Sequence, residues 1–113
     1  STPLSSESLN KVKEVLEEND LVNNVSTSLQ CKLLYVTIDF KDGTELAKAK
    51  KVVENNLESC FTEAELGVYD ISITIRSAAT EKVDGYTLMG ARNVDGSKTI
   101  VWNNYNITVS EDN

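Results

Sequence analysis

Two stretches of the chain alternate apolar and polar residues with a period of two. In "CKLLYVTIDF", Leu34, Val36, Ile38 and Phe40 alternate with Tyr35, Thr37 and Asp39. In "YDISITIRS", Ile71, Ile73 and Ile75 alternate with Asp70, Ser72, Thr74 and Arg76. This is the period of a strand with one face buried. Between them the period changes. In "ELAKAKKVVENNLESC", Leu46, Ala49, Val53, Leu57 and Cys60 fall on one helical stripe, with Lys48, Lys51, Glu54, Asn55 and Glu58 away from it. The sequence "KDGT" joins strand to helix: Gly43 serves the turn and Thr44 is the candidate cap.

Upstream, Leu9, Val12 and Leu16 recur at helical spacing. Ser5 or Ser6 is the cap, Glu7 sits at the positive end, and Asn19-Asp20 is the stop. "LVNNVSTSLQ", with Leu21, Val22 and Val25, reads as a short edge strand or an irregular extension. "FTEAELGV" is a connector with room for one helical turn. Near the end, "YTLMGARN" and "SKTIVWNN" flank "VDG", and Asp95-Gly96 signals a tight hairpin.

The predicted order is therefore α-(β)-β-α-β-β-β. Strand-helix-strand in the middle demands a parallel pair, and the last three strands form a meander. The fold class is α+β: a two-layer sandwich of a mixed, mainly antiparallel sheet of four to five strands, with two helices on one face. Residues 1–5 are expected to be a disordered lead-in, 6–105 the domain, and 106–113 a polar, acidic tail that frays. The core set is Leu34, Val36, Ile38, Leu46, Val53, Leu57, Ile71, Ile73 and Ile75.

Composition narrows the chemistry. The 113 residues carry a net charge of −7 and no histidine. The charge argues against nucleic-acid binding and against anionic membranes. Without histidine the chain lacks the commonest general base and transition-metal ligand, and Ser-His-Asp and Cys-His machinery are excluded. No apolar run approaches the ~20 residues of a membrane-spanning helix. Many Ser, Thr and Asn residues, a Ser-rich start and no initiating Met fit an extracytoplasmic domain behind a removed leader or lipid anchor. A cytoplasmic location is the alternative.

No catalytic residue, metal ligand or cofactor is expected. Asp39, Asp42 and Glu45 gather near one strand-helix junction, but their spacing fits turn and cap chemistry rather than a calcium loop. Asn93, Asp95, Ser97 and Thr99 alternate around Gly96 without the glutamate such a loop needs. Gly90 marks a bulge or a close approach of another group. The sequons at Asn24 and Asn106 are expected by chance in so Asn-rich a chain. Lys48, Lys50 and Lys51 read as a solvated helix face.

The remaining candidate surface is the strand face turned away from the helices. Tyr35, Thr37, Thr74 and Arg76 share it with Asp39 and Ser72. Trp102 joins them if the last strand presents it on that side, with Tyr105 near the rim. Aromatic, hydroxyl and guanidinium groups on one face suit recognition of a protein or small ligand.

The leading expectation is a non-catalytic binding or structural module. A cytosolic acidic inhibitor or immunity-type protein for a basic partner is the alternative, and a carboxylate- or metal-dependent enzyme ranks below both. Nothing in the sequence sets the oligomeric state.

The two cysteines complete the reading. A strand over 31–40 runs ~30 Å at ~3.3 Å per residue. A helix over 45–60 returns ~22 Å at ~1.5 Å per residue. Cys31 and Cys60 thus finish at the same end, but strand parity turns Cys31 away from the helices. Two free thiols are expected, with a Cys31–Cys60 bridge as the alternative.

Overall fold

The computed structural model describes residues 4–104 and the backbone course of 108–110. Its elements are α1 (Ser6–Glu17), β1 (Val22–Gln30), β2 (Leu33–Phe40), α2 (Leu46–Asn56), a 3-10 turn (Glu58–Cys60), α3 (Glu63–Leu66), β3 (Asp70–Ser77), β4 (Gly85–Arg92), β5 (Val101–Trp102) and β6 (Thr108–Ser110). The fold is α+β, as the periodicities predict. The sheet runs β1-β2-β3-β4-β5, and β6 also pairs with β4. The pair β2–β3 is parallel, because α2 carries the chain back across the sheet; the other pairs are antiparallel.

The core lies between the helices and one sheet face. Leu34, Val36, Ile38, Ile71, Ile73, Ile75 and Leu88 point into it from the strands. Val12 and Leu16 meet them from α1, and Ala49, Val52, Val53 and Leu57 from α2 and its end. Leu46, at the start of α2, is only half-buried against this cluster.

Several local expectations change. The edge strand β1 is nine residues long rather than short. Cys31 is not in β2: it forms the two-residue turn of the β1–β2 hairpin with Lys32, at φ +53. The cap of α2 is Glu45, without a side-chain bond. Thr44 is buried and donates its hydroxyl back to Lys41 O at 2.7 Å. The helical stripe of α2 breaks at Leu57, so Cys60 sits in the 3-10 turn.

Asp95-Gly96 does not close a tight hairpin. A turn from Asn93 to Gly96 begins an eight-residue loop over 93–100, and β5 follows it. Within the expected tail, Thr108–Ser110 pairs with β4, Thr108 with Thr87 and Ser110 with Gly85; the rest of that segment lies outside the described residues. Both cysteines are free, Cys31 exposed and Cys60 buried. The reason for Cys31 is the hairpin turn, not the strand parity expected of it.

The entry to α1 is locked by a buried carboxylate. Glu65 closes a capping box with Thr62 at the start of α3. The same carboxylate accepts bonds from Ser5 N at 3.0 Å, Ser5 Oγ at 3.2 Å and Ser8 Oγ at 2.7 Å at the start of α1. Burial alone would raise its pKa. The bonds from Ser5, Thr62 and Ser8 overcome that and lower it to about 2.

Candidate functional site

Strand parity assigns each residue to a sheet face, and the register then builds rows across that face. On the side away from the helices, one row is Ser28, Tyr35, Ser72, Ala91 and Val101. The next is Ser26, Thr37, Thr74 and Met89. The third is Asn24, Asp39, Arg76 and Thr87. Neighbouring strands lie ~4.8 Å apart, so Tyr35 stands ~14 Å from Val101.

The small side chains of Ser72, Thr74 and Ala91 form the floor between these walls. Tyr35 stands on one side at 37% exposure, with Met89 at 48% and Val101 at 57% on the other. Only Leu29 joins them as an exposed large hydrophobic among the described residues. At one end, Arg76 Nε donates to Asp39 Oδ1 at 2.7 Å, which neutralises both charges locally. At the other, Asp70 accepts the backbone N–H of Val94 at 2.7 Å. The middle of the face is thus uncharged, with its charges at the rim.

Of the residues expected on this face, Tyr35, Thr37, Thr74 and Arg76 are there. Trp102 is not. It lies opposite Gly90, whose parity is that of Leu88 on the helix side. Its indole N–H donates to Glu54 Oε2 of α2 at 2.8 Å. Gly90 accommodates the ring: a Cβ there would fall 2.6 Å from Trp102 Cε3. The close approach expected at Gly90 is therefore the indole itself. Tyr105 lies outside the described residues.

Met89 and Val101 take the place of Trp102 and were missed from sequence. The parity of β4 carries a signal for Met89, since Leu88 is the apolar residue of "YTLMGARN" that fills the core. Val101 has no such signal, because the loop over 93–100 sets where β5 begins.

Among the described residues, no three His, Cys, Asp or Glu side chains gather to hold a metal ion. Asp39 is paired with Arg76, whereas Glu45 pairs with Lys48 at 3.6 Å along α2. Asp39 and Asp42 line a shallow groove of about 370 Å³ with Arg76, Tyr86 and Thr87; Glu45 is outside it.

A cleft of about 470 Å³ lies between α3 and the loop after β4, with Glu63, Arg92 and Lys98 in its lining. Arg92 is committed to the fold, with Nε on Glu58 Oε2 at 3.3 Å and a terminal nitrogen on Leu66 O at 3.1 Å. Cys60 is raised in pKa by burial, with Lys11 opposing, which disfavours the thiolate a nucleophile needs. No helix among the described residues is long and apolar enough to cross a membrane. No protein-family model, curated protein or solved structure matches the chain.

Proposed function

We propose that this domain is a non-catalytic binding module whose recognition surface is the open face of the sheet. The observation that carries the reading is the arrangement of Tyr35, Met89 and Val101 around the small residues Ser72, Thr74 and Ala91. Exposed aromatic, Met and Val side chains on an uncharged face, with charges confined to its rim, are the composition of a protein-protein contact. A protein partner is therefore favoured over a small ligand, for which a flat face offers little enclosure. The lack of histidine and the separate engagement of Asp39 and Glu45 support the non-catalytic part. The Ser-, Thr- and Asn-rich composition supports work outside the cytoplasm.

The test compares proteins retained from extracts of the host by the immobilised domain and by a Tyr35→Ser/Met89→Ser variant. A partner held by the wild type and lost from the variant, with unchanged melting, supports the reading. A specific partner held equally by both binds elsewhere and overturns it.

A further inference from the structure

Both edges of the sheet lie in the longest uncharged stretches of the chain. No charged residue stands between Asp20 and Lys32, nor between Lys98 and Glu111, although 26% of the chain is charged. Exposed strand edges are ordinarily defended by Lys, Pro or inward charges. β1 has none of these across its exposed run from Ser26 to Gln30; its one irregularity lies at the other end, between Val22 and Asn24.

The hydrogen-bonding state of β1 follows from its turn. Gln30 and Leu33 close a two-residue hairpin, so Gln30, Ser28 and Ser26 bond to β2, while Val25, Thr27 and Leu29 aim N–H and C=O outward. At Val25 these groups are already taken: its N–H donates to Glu17 Oε2 at 3.1 Å, and its carbonyl accepts from Lys13 Nζ at 3.0 Å. At Thr27 and Leu29 no other described residue takes these groups, and the Leu29 side chain is 41% exposed beside them.

We infer that the open edge of β1 pairs antiparallel with β1 of a second copy, joining two sheets into one across a twofold axis. The occupied groups of Val25 set the register. The free outward residues are Thr27 and Leu29, so Thr27 faces Leu29 of the second copy and the reverse, with Ser28 on the axis. That register makes four backbone hydrogen bonds and matches neutral residues only, Ser26 with Gln30 and Ser28 with itself. A contact of this kind is isologous and closes at two copies. It suits a chain of charge −7, because the edge brings no acid against an acid. The remaining repulsion acts at longer range, where salt screens it beyond ~10 Å at 0.1 M.

Sedimentation velocity over a wide concentration range is expected to show a species of twice the 12.5 kDa chain mass. Raising the salt should increase its share. Thr27→Pro removes an N–H that points away from β2 and bonds to no described residue, and Leu29→Lys places a charge on the edge; each should abolish the dimer. Leu29→Lys carries the test if Thr27→Pro fails to fold, and Met89→Lys on the open face should leave the dimer intact.

Register is read by cross-linking. With Cys31→Ser, a Ser28→Cys variant should oxidise to a covalent dimer, since non-hydrogen-bonded antiparallel pairs bring Cα atoms to ~4.5 Å. Ser26→Cys in the same background should not. A monomer at every concentration, a dimer indifferent to both edge variants, or a mass that keeps growing with concentration would each overturn the inference.

Discussion

Ile73 sits in the middle strand of the sheet with no exposed surface, opposite Val36 on one side and Gly90 on the other. Ile73→Ala should cost roughly 2–5 kcal/mol in denaturant melts, the usual range for a buried aliphatic. A loss below ~0.5 kcal/mol would mean a slipped register, because a slip of one residue turns the whole apolar set to solvent. Cys31 carries the opposite kind of penalty. Its φ of +53 places an L side chain in the left-handed region, the only non-glycine so placed among the described residues. That conformation costs ~1–2 kcal/mol, and glycine returns part of the gain as unfolded-state entropy. Cys31→Gly should therefore stabilise the fold by ~0.5–1 kcal/mol in the same melts. The thiols should also differ in reach. Intact mass after alkylation should show one adduct on the native protein, at exposed Cys31, and two once Cys60 is unfolded.

At the scale of elements, one carboxylate caps two helices. Glu65 satisfies the start of α3 through Thr62 and the start of α1 through Ser5 and Ser8. Its pKa of about 2 lies below the ordinary 4.5, so the folded state favours the ionised form. The stability it contributes is complete above pH ~4.5 and is lost as the pH falls toward 2. Glu65→Gln should cost roughly 1.5–3 kcal/mol at neutral pH, the range for hydrogen bonds to a charged group. It should also flatten the acid limb of the stability profile; an unchanged limb would show that another carboxylate governs it. The β4–β5 pair depends instead on a missing side chain. Gly90→Ala sets a methyl against the indole of Trp102, and the ring must move off the sheet. A cost of ~1–3 kcal/mol and a red shift of tryptophan emission are expected, since Trp102 is the only tryptophan.

At the scale of the molecule, helices cover one face of the sheet and leave the other to solvent, so the two faces answer differently to mutation. Tyr35→Ser/Met89→Ser should shift stability by no more than ~0.5 kcal/mol per site, because neither side chain is in the core. A larger loss in a thermal melt would mean the open face is a structural surface. The Asp39–Arg76 pair belongs with this solvated side: with Arg76 about half exposed, it orders the rim more than it stabilises the fold.

The alternation of Leu34 to Phe40 and of Ile71 to Ile75, with the helical stripe between them, determined the parallel pair, the core and the helix-covered face from sequence alone. These are local periodicities, and burial on one side admits a single parity. The same alternation assigned Tyr35, Thr37, Thr74 and Arg76 to the open face. It could not place Trp102 or Val101, because their parity depends on where the loop over 93–100 delivers the chain to the edge of β4. A two-residue strand has too few positions to display a period. Nor could it find the double cap at Glu65, or the bonds from α1 that occupy Val25 and leave Thr27 and Leu29 open. Those contacts join residues far apart in the chain or on different elements, and only the packing of α1 against the edge of the sheet and against the start of α3 brings them within hydrogen-bonding distance.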